Sequence, residues 1–263
     1  MKQIITGFHS IEERVKHFCE TQKTEGVTIH FSKIGPRVKK ILENARKGGI
    51  SAVQSDDRKL DLLVQPLPEG GRDHRGIVMV VEGENAVQNQ NSVEFDGWIN
   101  SKKLTKDTDE SRSTVIILDS ITDPHNVGAI IRSCDQFGAD LAVMPARRGS
   151  NDFSDNEIIG RTSAGAASYV PVSVVTNLVR TVQKLKEAGY WIYGADAGGE
   201  SVQKVKFPPR TAIVMGSEGT GISKLLEEQC DSIVSIPTCG KIDSLNVSVA
   251  AGVLLYEIYR QSL

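Results

Sequence analysis

Short apolar segments recur through the second half of the chain, separated by stretches long enough for helices. From Thr114 onward, six segments rich in β-branched residues predict strands at Val115–Leu118, Leu141–Met144, Val170–Val175, Trp191–Tyr193, Ala212–Met215 and Ile233–Ile236. Amphipathic patterns at steps of three and four residues lie between several of them. This alternation predicts an α/β domain with a mostly parallel sheet that is covered by helices on both faces.

Three helices in this half have a clear apolar face. The first is predicted from Val127, Ile130, Ile131 and Cys134, with Gly138 as its end. The second is predicted from Leu178, Val182 and Leu185, with Gly189 as its end. The third follows the last strand and a polar loop, with Asn246 as N-cap and an apolar face at Val247, Ala250, Leu254 and Ile258.

The first 83 residues predict a small α/β domain of their own. Strands are expected at Val27–Phe31, Ile50–Val53 and Ile77–Val81, a short helix opens with a capping box at Ser10–Glu13, and a basic helix runs from Pro36 to Lys47. Residues 84–113 are polar and charged and predict a linker with a short packed segment around Phe95 and Trp98. The expected domains are therefore residues 1–83 and 114–263.

Charge is distributed unevenly along the chain. The net charge of the 263 residues is −2, but residues 1–83 carry 14 Lys and Arg against 11 Asp and Glu. Between Lys33 and Lys59 there are eight basic and three acidic residues. Such an excess can contact phosphates, although a solvated surface is the commoner explanation.

The four cysteines are far apart and have no paired ligand spacing, which argues against a zinc site or a disulfide framework and fits a reducing cytosol. We therefore expect no metal and a cytoplasmic protein. Charged residues interrupt the start of the chain, so no signal peptide is expected, and no apolar run is long enough to span a membrane. Cys239 lies in the last polar loop, but no base near it in sequence activates its thiol.

Three polar loops each join a predicted strand to a predicted helix. The first, Asp123–Arg132, offers two possible helix caps and places Arg132 one turn into a helix, where an anion would offset its unfavourable interaction with the helix dipole. The second, Met215–Ile222, has the order G-x-x-G-x-G, which is neither a dinucleotide fingerprint nor a P-loop. The third is the loop that ends at Ser244, Leu245 and Asn246. Each motif alone is a weak signal, and for Arg132 an exposed arginine with no ligand is the commoner case.

In this order and spacing, the three loops resemble the signature motifs of the trefoil-knotted RNA methyltransferase superfamily, in its SpoU/TrmH branch. The resemblance covers residues 114–260. Gly7–His9 and His74–Ile77 are also similar to the ribosomal-protein-like RNA-binding domain of that branch. Together they most resemble the 23S rRNA guanosine 2′-O-methyltransferases, although Phe8 and the Gln/Asn-rich segment at 88–92 depart from the pattern.

The resemblance implies a knotted sheet domain that binds S-adenosylmethionine, a homodimer with its active site completed across the interface, and an RNA substrate. The residues that match the cofactor site of the family are Met215, Gly216, Ile236, Pro237, Ser244, Leu245 and Asn246. Arg132 matches the residue that stabilises the developing 2′-alkoxide, with Asn126, Glu218 and Asn246 as polar partners. The small residues 163–168 are a candidate close-packing helix or simply core.

Other functions remain open at this point. Within the enzyme class, the substrate could be tRNA or another nucleotide of 23S rRNA, and the proton acceptor could be Glu218 or solvent. A non-catalytic RNA-binding or ribosome-assembly protein could keep the same fold. A nucleotide-dependent oxidoreductase is disfavoured, because the glycine pattern follows the fifth strand instead of the first.

Overall fold

The computed structural model describes residues 2–67, 71–83, 92–102, 112–146, 157–240 and 244–263, which form two units. The first unit comprises Met1–Asn91 with Asp152–Tyr169, and the second comprises Ser92–Asn151 with Val170–Leu263. The expected boundary after residue 83 borders a segment outside the described residues, and the one after residue 113 lies next to the start of β5, so these limits stay a prediction. Every helix in the described ranges is too short or too polar to span a lipid bilayer.

The first unit contains a four-stranded sheet in the order β1-β4-β2-β3. Strand β4 is antiparallel to both β1 and β2, and β3 is parallel to β2. Helices α1 and α2 pack on one face of this sheet, and α3 packs on the other. The elements in chain order are β1 Lys2–Ile5, α1 Phe8–Thr21, β2 Val27–Phe31, α2 Pro36–Lys47, β3 Ser51–Gln54, α3 Asp57–Val64 and β4 Ile77–Glu82.

Helix α1 begins earlier than the sequence pattern predicts. Its N-cap is Gly7, with φ of 85°, and no side chain caps the helix. The predicted capping box at Ser10 is therefore wrong. The Ser10 hydroxyl instead donates to the carbonyl of Gly160, 3.1 Å away, because a later segment of the chain packs against α1.

That segment contains α6 Glu157–Thr162 and a 3₁₀ turn at Ala166–Ser168. The continuous helix suggested for residues 163–168 is wrong, because Ala164 and Gly165 have φ of 52° and 92° and interrupt it. Close packing is nevertheless present: a Cβ on Gly165 would lie 2.7 Å from Cβ of Glu13. The Tyr169 hydroxyl also donates to the Glu13 carboxylate at 2.6 Å.

The second unit is built on a six-stranded parallel sheet in the order β10-β8-β9-β5-β6-β7. This confirms the expected α/β class with a mostly parallel sheet. The strands are β5 Ser113–Leu118, β6 Leu141–Pro145, β7 Val172–Val175, β8 Trp191–Ser201, β9 Arg210–Met215 and β10 Ser232–Ser235. The helices are α4 Phe95–Ser101, α5 Pro124–Phe137, α7 Leu178–Glu187, α8 Lys224–Glu227 and α9 Val247–Arg260.

The sheet is buried on both faces, as the near-continuous apolar strands predict. Val115 and Ile117 of β5 share a core with α4, α7 and α8, while the alternate residues Ile116 and Leu118 are equally buried. Helices α5 and α9 pack against each other. Phe95 belongs to this core, so the described part of the expected linker, residues 92–102, includes a packed helix of the second unit.

Candidate active site at the carboxyl ends of β5, β9 and β10

The three polar loops lie at one edge of the second sheet. Strands β5, β9, β8 and β10 are neighbours in the sheet and run parallel, so their carboxyl ends lie on the same side. In open parallel sheets, loops at this edge form the usual ligand site. The candidate site therefore follows from the topology before any side chain is considered.

The loop after β9 is closed on itself by two backbone hydrogen bonds. The Ser217 amide donates to the Gly221 carbonyl at 3.1 Å, and the Gly221 amide donates to the Ser217 carbonyl at 3.0 Å. A Cβ on Gly216 would lie 2.2 Å from the carbonyl carbon of Gly221, whereas Gly219 faces open space. Gly216 is thus required for the loop to close.

A buried aspartate, Asp119, fixes both ends of this loop to the end of β5, one through its backbone amide and one through its carboxylate. The amide of Asp119 donates to the Met215 carbonyl at 2.8 Å, and its Oδ2 accepts the Ser223 amide at 2.7 Å. Its Oδ1 accepts the Ser120 hydroxyl at 3.2 Å. Asp119 was not among the site residues predicted from the sequence. An aspartate directly after a buried parallel strand was the available signal, since a carboxylate at that depth needs several donors.

Asn126, Glu218 and Asn246 come from three different loops and form one hydrogen-bonded cluster. The Asn246 side-chain amide donates to Glu218 Oε1 at 2.6 Å and to Asn126 Oδ1 at 3.0 Å. Asn126 Nδ2 donates to the same Glu218 oxygen at 3.4 Å. The sequence analysis grouped these three residues, and the structure brings them together.

Asn246 also caps the last helix, as its position in the sequence predicts. Its Oδ1 accepts the amides of Ser248 and Val249, at 3.0 and 3.4 Å. The amide of Val247, the first residue of α9, donates to Glu218 Oε1 at 3.2 Å. A side chain from the β9 loop therefore caps α9, and this contact ties the loop to the C-terminal helix.

A cavity of about 480 Å³ lies between the loops after β9 and β10, beside the start of α9. Six of the seven expected cofactor residues line it: Met215, Gly216, Ile236, Pro237, Ser244 and Leu245. Asn246 is not among its lining residues and belongs to the adjacent cluster. The β8 segment Ala195–Ala197 supplies a third wall that was not predicted from the sequence.

Arg132 stands apart from this cavity. Its side chain is exposed, it does not line the cavity, and it makes no hydrogen bond or ion pair with any residue in the described ranges. It lies on α5, which also carries Asn126 and packs against α9. The structure therefore puts its helix at the site but gives the guanidinium no partner within the described part of the chain.

The cavity is suited to a flexible ligand with apolar and polar parts. Its volume falls within the range of small-molecule sites. Apolar walls are supplied by Met215, Val234, Ile236, Leu245 and Leu254, and polar groups by Asp196, Ser217, Glu218, Thr238 and Ser244. This combination fits the adenine, ribose and amino-acid parts of S-adenosylmethionine.

The cysteines contribute no recognisable chemistry to the site. Burial raises the pKa of Cys134 to about 12 and that of Cys230 to about 11, so neither is a thiolate at neutral pH. Cys239 is exposed and does not line the cavity. Among the residues that the structure describes, no three His, Cys, Asp or Glu side chains are grouped so that they could hold a metal ion.

Comparison with known families identifies the family of the chain. The model of the SpoU rRNA methylase family matches residues 113–256. The chain belongs to the SpoU rRNA methylase family. The family match spans β5 through most of α9, and therefore includes all three loops and the cavity between them.

Relatives extend the family match over almost the whole chain. A Bordetella pertussis protein named 23S rRNA (guanosine-2'-O-)-methyltransferase RlmB is 35% identical, over 98% of this chain and 97% of its own. A Staphylococcus haemolyticus protein named putative TrmH family tRNA/rRNA methyltransferase is also 35% identical, over 98% of this chain and 95% of its own. The first unit is thus shared with these relatives as well as the second unit.

Solved structures support the fold. The SpoU methyltransferase AviRb from Streptomyces viridochromogenes, solved with AdoMet, has a TM-score of 0.68 and 24% identity, covering 99% of this chain and 90% of its own. An RNA 2'-O ribose methyltransferase has a TM-score of 0.72 and 20% identity, covering 99% of this chain and 89% of its own. At these identities the likeness concerns the fold, and it agrees with the α/β class predicted from the sequence.

Proposed function

We propose that this family member transfers a methyl group from S-adenosylmethionine to a ribose 2′-hydroxyl of RNA, on a guanosine of 23S rRNA. The observation that carries the proposal is the cavity formed by Gly216, Ile236 and Leu245 beside the Asn126–Glu218–Asn246 cluster, in a chain of the SpoU family. The names of the relatives that match the chain along its whole length support the choice of 23S rRNA and guanosine.

In this proposal the cofactor is held in the cavity between the β9 and β10 loops. Met215, Ile236 and Leu245 supply apolar walls for the adenine, while Pro237 and Ser244 line the same space. The backbone of the closed loop at Gly216 borders the cavity. The adenine is neutral, so it needs no charged partner there. When bound, S-adenosylmethionine supplies an electrophilic methyl group whose departure leaves a neutral thioether, so the site needs no acid for the leaving group.

The difficult part of the reaction is activation of the nucleophile. A ribose hydroxyl is weakly acidic, so its developing negative charge must be stabilised and its oxygen aligned with the methyl group. We assign this role to Arg132, whose guanidinium stays protonated and has no partner among the described residues. The exposed guanidinium is free to bind the 2′-oxygen and a neighbouring phosphate.

Glu218 is proposed to act mainly as a positioning residue. Its Oε1 already accepts hydrogen bonds from Asn246, Val247 and Asn126, so this oxygen is occupied. Only Oε2 is left to take a proton from the ribose hydroxyl. Asn126 and Asn246 hold the carboxylate in place and provide further polar groups at the substrate side of the cavity.

The first unit is proposed to be a ribosomal-protein-like RNA-binding domain. Helix α2 carries four exposed cations, Lys39, Lys40, Arg46 and Lys47, and a single acidic residue, Glu43. None of the four cations has an ion pair with a residue in the described ranges, whereas Arg37 of the same helix is paired with Glu12 at 2.9 Å. Unpaired cations on one helix are suited to contacts with RNA phosphates.

We further propose a homodimer in which a second copy of the chain covers α9. Val249, Val253 and Tyr256 are 51%, 38% and 48% exposed and follow one another at steps of four and three residues, so they form an apolar stripe. Phe137 of α5 contacts Tyr256 with ring centroids 5.6 Å apart, which makes the stripe continuous with the Arg132 helix. A second copy on this surface would also lie against α5, the helix that carries Arg132.

The trefoil knot and the cytoplasmic location also remain proposals. Family membership supports the knot, in which the segment from β10 to α9 would pass through an earlier loop. A ribosomal RNA substrate supports the location, because the enzyme must meet its substrate where ribosomes are assembled. The relatives named for both tRNA and rRNA keep tRNA as a second candidate substrate.

Methyl transfer to purified RNA tests the proposed function. The protein is incubated with tritiated S-adenosylmethionine and either 23S rRNA or bulk tRNA, and the RNA is digested to nucleosides. We expect label in 2′-O-methylguanosine from 23S rRNA. Label from tRNA alone would move the substrate to tRNA, label on a base would refute ribose chemistry, and no label with either RNA or with ribosome-assembly intermediates would favour a non-catalytic RNA-binding protein.

A further inference from the structure

Strand β8 departs from regular pairing beside the cavity. Gly194 is paired with Ile233 of β10, but the next β10 residue, Val234, is paired with Glu200. Residues 195–199 therefore have no counterpart on β10 and bulge from this side of the sheet. A Cβ on Gly199 would lie 2.6 Å from the backbone of Ile233, so the bulge returns to the sheet through a position that only glycine can occupy.

The bulge carries Asp196 into the wall of the cavity. An aspartate side chain can hydrogen-bond to the backbone two residues on, and Asp196 Oδ1 accepts the amide of Gly198 at 2.9 Å. This contact fixes the orientation of the carboxylate. The other oxygen, Oδ2, lies 3.7 Å from the position that a Cβ on Gly221 would occupy, so it faces the closed loop after β9.

Two carboxylates line the cavity, and they differ in how far protein donors satisfy them. Glu218 Oε1 accepts hydrogen bonds from Asn126, Asn246 and Val247. Asp196 Oδ2, in contrast, accepts none from the residues in the described ranges. Asp196 is exposed, so its Oδ2 is open to a ligand as well as to solvent. A carboxylate oxygen held at the wall of a partly apolar cavity attracts a ligand with hydroxyl or ammonium donors.

We propose that Asp196 is a cofactor-binding residue whose Oδ2 accepts hydrogen bonds from the ribose hydroxyls or the α-ammonium group of S-adenosylmethionine. The inference rests on the proposed function and adds to it a charged contact outside the three loops. It also gives the β8 bulge a purpose, because regular pairing with β10 would leave no segment to form this wall.

The test is calorimetric binding of S-adenosylmethionine to Asp196→Asn. Asparagine has the same shape and can still accept the Gly198 amide, but it loses the negative charge and one acceptor oxygen. We expect about a tenfold loss of affinity, which corresponds to one charge-assisted hydrogen bond. Glu200→Gln is the matched control, since it removes an exposed carboxylate from the same strand outside the cavity lining, and its affinity should stay within about twofold of wild type.

S-Adenosylhomocysteine and methylthioadenosine separate the two donors, because both are neutral thioethers with the same ribose and only the first has the ammonium group. If Asp196→Asn weakens both ligands equally, Asp196 binds the ribose, and if only S-adenosylhomocysteine is weakened, it binds the ammonium group. Wild-type affinity for both ligands in a variant with unchanged thermal unfolding would overturn the inference. Absence of S-adenosylmethionine binding by the wild-type protein would instead count against the proposed function.

Discussion

The cofactor side and the substrate side of the candidate site differ in how completely one chain builds them. On the cofactor side, the loop at Gly216 is closed by its own backbone, is held by Asp119 through the Ser223 amide, and borders a cavity. On the substrate side, Arg132 is exposed and has no partner in the described ranges. The contrast indicates that cofactor binding is preorganised within one chain, while the guanidinium is left for groups that arrive from outside.

Substitution of Arg132 should have the largest effect. We expect Arg132→Ala to lower the methyl-transfer rate about 10²–10³-fold, because a group that stabilises charge in the transition state is removed. The affinity for S-adenosylmethionine, measured by calorimetry, should change less than about threefold. Arg180→Ala is the control, since Arg180 is also exposed, lies in the first turn of α7 and has no ion pair with a residue in the described ranges. Loss of cofactor binding with retained turnover would reverse the assigned roles.

Disruption of the proposed dimer should have the second largest effect. It should impair the substrate side of the site and leave the cofactor side intact. A charge within the α9 stripe, in Val253→Glu with Tyr256→Glu, should halve the mass measured by light scattering. Methyl transfer should fall about tenfold or more, since the partner's contribution next to Arg132 is lost. S-adenosylmethionine should still bind. Leu225→Glu changes a leucine on α8 that is even more exposed, and it should leave the mass unchanged. A monomeric wild-type protein with full activity would contradict the proposed dimer.

A substitution within the closed loop should affect the cofactor side alone. Gly216→Ala places a methyl group where the Gly221 backbone lies, so the loop must open, and we expect about a tenfold or greater loss of S-adenosylmethionine affinity. Gly219→Ala in the same loop meets open space and should bind nearly as wild type. Equal effects of the two substitutions would show that closure of this loop does not determine cofactor binding.

Removal of cations from α2 should weaken RNA binding by several-fold, while the cofactor side and the substrate side of the site stay unchanged. Lys39→Gln with Lys47→Gln should lower the slope of log affinity against log salt by about 0.7–0.9 for each phosphate contact that is lost. Lys2→Gln with Arg75→Gln is matched in charge, but Lys2 and Arg75 are already paired with Glu82 and Asp73. An unchanged slope in the α2 variant would move the RNA contact to another surface.

The smallest expected effect is on stability. Asn246→Ala should cost about 1 kcal/mol of unfolding free energy through loss of the α9 cap. Methyl transfer should fall as well, because the Glu218 cluster loses a member. Asn177→Ala removes the corresponding cap of α7, whose Oδ1 accepts the Arg180 amide at 3.0 Å, and should cost similar stability with no loss of activity. Equal activity in the two variants would mean that Asn246 serves only as a cap.

The parts of this architecture that have local signals could be predicted from the sequence. Apolar periodicity located all six strands of the second sheet and the buried face of α5, and Gly138 ends that helix with φ of 68°. The resemblance of the three loops to the family motifs grouped Asn126, Glu218 and Asn246 before any contact was known. These features depend on residue type and spacing along the chain, so they can be found without tertiary information.

The features that were missed depend on partners distant in sequence. Strand β1 and helix α3 are short, and they are stabilised by packing against β4. The role of Asp119 depends on the Ser223 amide that it accepts, and Ser223 lies 104 residues later in the chain. Asp196 lines the cavity because β8 bulges where its pairing with β10 shifts. Gly198 and Gly199 are typical of a bulge, but the register depends on β10, which lies about 35 residues later.

A structure of the protein with S-adenosylhomocysteine tests the central claim most directly. We predict that the ligand lies between the Gly216–Glu218 turn and the start of α9 at Asn246, with its sulfur directed toward the side where Asn126 and the Arg132 helix lie. An empty cavity, with the ligand bound elsewhere on the second unit, would contradict the account of this site.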